Sequence, residues 1–158
     1  MSQEEQSTRV LTYEEAEVGF EFSPYVFEVT QELVQRYAEL MGEEHPIFTD
    51  AGSARMEGYS DLVAIPTLMN CYAHFISHMR ASGYERPGES FHSRSAFQFL
   101  GPVYPGDVIT STMRISDKWE KRGFQYLGFV IESRNQHGNK VAEKFHASVW
   151  PSEQTERR

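Results

Sequence analysis

Pro66-Thr-Leu-Met-Asn-Cys-Tyr-Ala-His-Phe-Ile-Ser-His-Met-Arg-Ala-Ser-Gly83, with a run of alternating apolar and polar positions after it, is the stretch whose reading decides the fold. Leu68, Tyr72, Phe75 and Met79 recur on one face of a helix, and Met69 and Ile76 widen that stripe. A helix apolar over most of its circumference has to be buried. Pro66 suits its first turn, where the missing N–H costs nothing, and Gly83 suits its end.

Beyond Gly83 the period changes from helical to two. This predicts strands over His92–Leu100, Val108–Asp117, Phe124–Asn135 and Lys140–Trp150. In the last, Val141, Phe145, Ala147 and Val149 share one face, and Lys144, His146 and Ser148 the other. Turn residues punctuate the run: Gly101-Pro102, Pro105-Gly106-Asp107, Lys121-Arg122-Gly123 and His137-Gly138-Asn139. Upstream, a strand is expected near Phe22–Val29, followed by a helix capped by Thr30 and stopped by Gly42. Glu32 stands in its first turn, and Leu33, Tyr37 and Leu40 form its apolar stripe. A helical turn around Ala51–Glu57 interrupts the loop that follows. The order of elements points to the α+β class: a single hot-dog domain, one long buried helix wrapped by a curved antiparallel sheet. The domain is placed at 12–150, with polar tails expected to be disordered over 1–11 and 151–158.

The 158 residues hold one core, and 39% apolar against 24% charged content is ordinary for a globular chain. A formal charge of −8 repels polyanions, so no nucleic acid and no anionic membrane surface is expected as a partner. No apolar run is long enough to span a membrane and Met1–Gln6 is polar, which gives a cytoplasmic expectation. Cys71 stands alone and cannot form an intrachain disulfide; mid-helix, it reads as a small core residue.

Two segments carry a likeness. Phe97-Gln-Phe-Leu-Gly-Pro-Val-Tyr-Pro-Gly-Asp-Val, then Asn135-Gln-His-Gly-Asn-Lys-Val, resembles the F-x-x-P-V-x-x-G-D and N-Q-x-G-x-x-V patterns of MaoC-like dehydratases. Gly42-Glu-Glu-His-Pro-Ile-Phe-Thr-Asp and Gly58-Tyr-Ser-Asp-Leu-Val-Ala-Ile-Pro-Thr-Leu are similar to the branch with an N-terminal dehydratase-like domain, to which mycobacterial hydroxyacyl-carrier-protein dehydratase subunits belong. The resemblance implies a hydro-lyase: reversible hydration of trans-2-enoyl thioesters of coenzyme A or acyl carrier protein to the (R)-3-hydroxyacyl form. No cofactor and no metal are implied. A carboxylate and an imidazole would share one water, and helix-start N–H groups would polarise the thioester carbonyl.

The family pattern for that pair is G-D-x-N-P-x-H. Here Glu43 holds the place of the acid, His45 that of the Asn and Phe48 that of the His, and a phenyl ring can neither give nor take a proton. Glu43 and His45 are therefore the candidate catalytic residues. Phe48, Tyr59, Ile65 and Thr67 are the candidate substrate contacts, Thr67 because Pro66 has no N–H to offer. Phe91, Phe97 and Phe99 serve an acyl tunnel or the core, and Arg55, Arg80, Arg86 and Arg94 are possible carrier-phosphate contacts. His74 and His78 have metal-ligand spacing but no third ligand; with Asn70 and Ser77 they read as polar residues of a subunit contact. A lone sheet leaves a long edge unpaired, so a homodimer, or a heterodimer with a second MaoC-like chain, is expected. Two other functions remain open beside the enzyme: a non-catalytic acyl-thioester-binding subunit, and a hot-dog thioesterase. The lack of any Asp or Glu over Thr67–Arg80 counts against the thioesterase.

Overall fold

The apolar run from Pro66 does become the helical centre of the molecule, but in pieces. In the computed structural model, which describes residues 8–151, the elements in chain order are β1 (Arg9–Val10), β2 (Tyr25–Glu28), α1 (Gln31–Met41), α2 (Pro46–Thr49) and α3 (Ala51–Met56). A 3₁₀ turn over Pro66–Leu68 leads into α4 (Met69–Tyr72) and α5 (Phe75–Ala81). Then come β3 (Tyr84–Glu85), β4 (Phe91–Phe99), β5 (Val108–Lys121), β6 (Phe124–Arg134) and β7 (Lys140–Trp150). Five strands form one antiparallel sheet in the order β2-β5-β6-β7-β4, and β1 pairs in parallel with β3. The α+β class and the hot-dog arrangement of the sequence reading hold.

The single long helix expected over 67–82 is broken at Ala73, whose ψ of 50°, followed by 110° at His74, takes the backbone out of helix. Side chains of the sheet take up the carbonyls released there. Ser111 Oγ donates to the Tyr72 carbonyl at 2.8 Å, and Lys144 Nζ donates to that of Ala73 at 3.4 Å. A break satisfied by inserted donors costs little, because no buried carbonyl is left without a proton.

The same contacts settle which face of β7 is internal. Lys144, His146 and Ser148, the polar set, face the helices. His146 is stacked between the rings of Phe75, at 4.4 Å, and His92, at 4.8 Å. Apolar side chains from β5 and β6 supply the bulk of the core beside them: Ile109, Met113, Ile115, Leu127, Phe129 and Ile131 are all essentially inaccessible.

In α1, Thr30 Oγ1 accepts from the Leu33 N–H, and Gly42 ends the helix at a φ of 66°, the left-handed region that glycine adopts without strain. The buried pair is Val34 and Ala38, with Leu33 and Tyr37 flanking it. Leu40, expected on the stripe, is instead 76% exposed, because the helix packs along a narrow face.

The N-terminal tail expected over 1–11 is corrected in part. Arg9 and Val10 are paired in β1, and Leu11 is buried. Two distant residues hold this segment down: Trp150 Nε1 donates to the Leu11 carbonyl at 2.9 Å, and Lys118 Nζ to those of Tyr13 and Ala16 at 2.6 and 3.0 Å. Residues 1–7 and 152–158 lie outside the described residues.

Burial and its cationic neighbours push the His146 imidazole down to about 3. An unfolded histidine titrates near 6.5, so between those values the unfolded chain binds a proton that the folded one refuses. This contribution to stability is complete above about pH 6.5 and is lost as pH falls towards 3. By linkage it amounts to roughly 3–5 kcal/mol. Urea unfolding at pH 7, 5.5 and 4.5 should show stability falling more steeply for the wild type than for His146→Gln; parallel slopes would refute the assignment.

Candidate active site

The loop that carries the candidate acid begins where α1 stops. Glu43 returns its backbone N–H to the Ala38 carbonyl at 2.9 Å, and its Oε1 accepts from the His45 N–H at 2.8 Å. His45 in turn caps α2, its Nδ1 accepting from the Ile47 N–H at 3.4 Å, with Pro46 in the first helical position. Both candidate catalytic side chains thus hold backbone N–H groups of their own loop. Local side chain-to-backbone bonds of this kind are how such residues stabilise a turn.

The short helix these bonds support turns Ile47 and Phe48 inwards. Asp50 then caps α3, its Oδ2 accepting from the Ser53 N–H at 2.6 Å; the Ser53 hydroxyl and that N–H hold its carboxyl below the usual range. The Val63 N–H bonds the Ile47 carbonyl and the Ala64 N–H that of Val103, at 3.1 and 2.9 Å, which fastens the loop across the start of the central helix.

Between loop and sheet lies a cavity of about 360 Å³. Ile47, Phe48, Tyr59 and Ile65 line one side; Phe99, Leu100, Val103 and Val141 the other; Leu68 and Tyr72 the floor. Among the described residues its lining includes no carboxylate, imidazole, amine or thiol. Of its two phenols, that of Tyr72 is pushed above its usual range by burial, so it is no base near neutral pH. Such a cavity can hold an apolar chain.

The structure therefore brings together Phe48, Tyr59 and Ile65 and leaves Glu43, His45 and Thr67 off the wall. Thr67 is exposed, and its carbonyl accepts from Tyr37 Oη at 3.1 Å and Asn70 Nδ2 at 3.2 Å. Of the tunnel-or-core candidates on β4, Phe99 lines the cavity, while Leu100 to Val103 join it from a segment that the period-two reading assigns only to sheet and turn. The Gly-Asp and Asn-Gln motifs next to them are structural: Asp107 Oδ2 accepts from the Tyr104 N–H at 2.8 Å and Oδ1 from Gln136 Nε2 at 3.0 Å, which locks the two connections together. Phe91 and Phe97 are exposed rather than in the core. Of the paired histidines, His74 is exposed and bonds Ser77 Oγ at 2.9 Å. His78 is fully buried, with Nδ1 on the Ser23 carbonyl at 3.1 Å, and so belongs to the interior and not to a subunit contact. Among the described residues no group of three potential metal ligands comes together, and no helix is long and apolar enough to cross a membrane.

Residues 16–144 match the family model described as FAS1-like, dehydratase domain region. The chain is 32% identical over 110 residues to a UPF0336 protein of Streptomyces griseus, covering 62% of this chain and 68% of that one. Among solved structures it is similar to the C-terminally truncated HadBC (3R-hydroxyacyl-ACP dehydratase) complex of Mycobacterium tuberculosis. The TM-score there is 0.72 and the identity 24%, over 84% of this chain and 96% of that one. It is also similar to a MaoC-like dehydratase of Rhodospirillum rubrum, with a TM-score of 0.75 and 16% identity over 90% and 98% of the two chains. At these identities the structures speak for the fold, which is the hot-dog fold.

If Glu43 acts through its bond to the His45 N–H, its charge is dispensable and its acceptor oxygen is not. Glu43→Gln should stay within a few tenths of a kcal/mol of the wild type, whereas Glu43→Ala should lose about 0.5–1.5 kcal/mol in urea unfolding. Equal losses in the two variants would contradict this.

Proposed function

The chain belongs to the FAS1-like dehydratase domain region family, and on that premise we propose that it is the acyl-binding subunit of an enoyl-thioester hydratase/3-hydroxyacyl dehydratase assembly. In this reading its cavity holds the acyl chain of a coenzyme A or acyl-carrier-protein thioester, and a second MaoC-like chain supplies the acid–base pair. The observation that carries it is the cavity wall: Phe48 closes it where the family pattern has a histidine, and among the described residues no ionisable group except two phenols lines it. The position of Glu43 agrees, since its carboxylate is engaged with the backbone N–H of His45.

Pairing with another chain fits β4, the longer of the sheet's two edge strands, and the structural similarity to a complex named 3R-hydroxyacyl-ACP dehydratase. A homodimer through the same edge is the simpler form of that contact. The cytoplasm, where acyl thioesters are handled and a lone thiol such as Cys71 stays reduced, is the compartment this reading assigns. A second reading, hydration by this chain alone through Glu43 and His45, is favoured only by the closeness of those two residues to the cavity loop.

Binding should tighten with acyl length by about 0.8 kcal/mol per buried methylene, roughly fourfold each, until the cavity is filled. Titration calorimetry with saturated acyl-CoA esters of increasing length measures this, and Val141→Trp should abolish the length dependence. The isolated chain should hydrate crotonyl-CoA negligibly. Turnover by the isolated chain that Glu43→Gln removes would decide for the second reading.

A further inference from the structure

Lys144 lies on the helix-facing side of β7 with only 8% of its surface exposed, and burial lowers its pKa from the usual lysine value. Its Nζ donates to the Ala73 carbonyl and, at 3.3 Å, to Asn70 Oδ1, and lies 5.6 Å from the centroid of the Phe97 ring. An ammonium has three protons to place, and away from bulk water the partner that stabilises it is a carboxylate.

Among the described residues no carboxylate is bonded to Lys144. The whole stretch from Pro66 to Gly83 and all of β4 contain no Asp or Glu. The only acids of β6 and β7, Glu132 and Glu143, pair with each other across the strands, one residue out of phase with Lys144. They are therefore on the opposite face of the sheet, where both are bonded to Lys140. The charges that bear on the neighbouring imidazoles are of one sign as well. The fixed cations acting on His146 are Lys144 and Arg86, and those acting on His74 are Lys144 and Arg80. A cationic patch has thus been built into a chain whose formal charge is −8.

This patch lies next to β4, one of the two edge strands of the sheet. Phe97 and Phe99 stand exposed on β4, their rings parallel with centroids 6.4 Å apart, and His92, Asn70 and His74 are exposed beside them. A partner chain seated along β4 would cover the two rings and reach the surface beside Lys144, one strand further in.

From this we infer that the partner that seats on β4 brings a carboxylate against Lys144, so that this edge accepts an acid-bearing chain in preference to a second copy of itself. The inference rests on the subunit reading above and specifies the partner's chemistry. A self-contact through this edge would bring a second copy of the patch to the same interface, and neither β4 nor the Pro66–Gly83 stretch of that copy has an acid to answer it. A partner acid would instead complete a buried, charge-assisted pair, the kind of contact that selects one partner over another.

The test uses the full chain, its Lys144→Met and Lys144→Arg variants and, as probe, a purified MaoC-like chain of the same genome that carries the G-D-x-N-P-x-H pattern. In sedimentation equilibrium the wild-type complex with the probe should be at least about tenfold tighter than wild-type self-association. Lys144→Met should weaken the complex by about tenfold or more and strengthen self-association, while Lys144→Arg keeps the wild-type order. Should Lys144→Met fail to fold, zero-length carbodiimide coupling of the wild-type complex decides. It joins an amine to a carboxylate in contact, and mass spectrometry should find Lys144 linked to the probe chain. The inference is overturned by self-association as tight as the complex, by no complex with the probe, by an unchanged Lys144→Met, or by coupling that omits Lys144. None of these outcomes touches acyl-chain binding by the cavity, which the calorimetry measures separately.

Discussion

The interior depends on a reconciliation of polar groups at one point, where the central helix breaks and the sheet fills the gap. Two carbonyls, of Tyr72 and Ala73, leave the helical ladder. Ser111 and Lys144 reach up from β5 and β7 to meet them. Ser111 is joined to Ser133 at 2.7 Å, so the donors form part of a buried chain rather than isolated contacts. Without them the break would leave unpaired carbonyls in an apolar interior, each worth a kcal/mol or more, roughly, in lost stability. The polar side chains on the inner face of the sheet are thus part of how the helix packs.

That arrangement also explains what could be read in advance. Period two located β7 at its true bounds, Lys140–Trp150, and the Thr30 and Gly42 caps placed α1 to the residue. Hydrophobic pattern could not show that Lys144, His146 and Ser148 point inwards, because an alternation of this kind normally turns its apolar set to the core. Nor could it show the break at Ala73. Residues 66–83 contain no internal proline or glycine, and the cause lies in donors supplied from strands far along the chain. Leu40 misled for a simpler reason: a stripe defines a face, and α1 buries only part of it.

The candidate site was legible in proportion to how local its determinants are. Phe48, Tyr59 and Ile65 come from the loop and helix start that the motif comparison singles out, and the cavity gathers all three. Glu43 and His45 occupy the motif's polar positions, yet their side chains serve the backbone of the loop, a use that composition and spacing do not distinguish from catalysis. The opposite wall is legible only at Phe99, a tunnel candidate from the start; Leu100 to Val103 reach the cavity only after the sheet has curled around the helix.

The anchoring of the N-terminal segment has a consequence for folding. Leu11, Tyr13 and Ala16 are held by Lys118, in the long strand β5, and by Trp150, at the end of β7. More than a hundred positions separate the segment from each anchor, 139 in the case of Leu11 and Trp150. Contacts this distant in sequence close large loops and form slowly. Until they close, the segment lacks the groups that hold its backbone. It is therefore tied to the far end of the sheet, and losing Trp150 would free the Leu11 backbone as well as the end of β7.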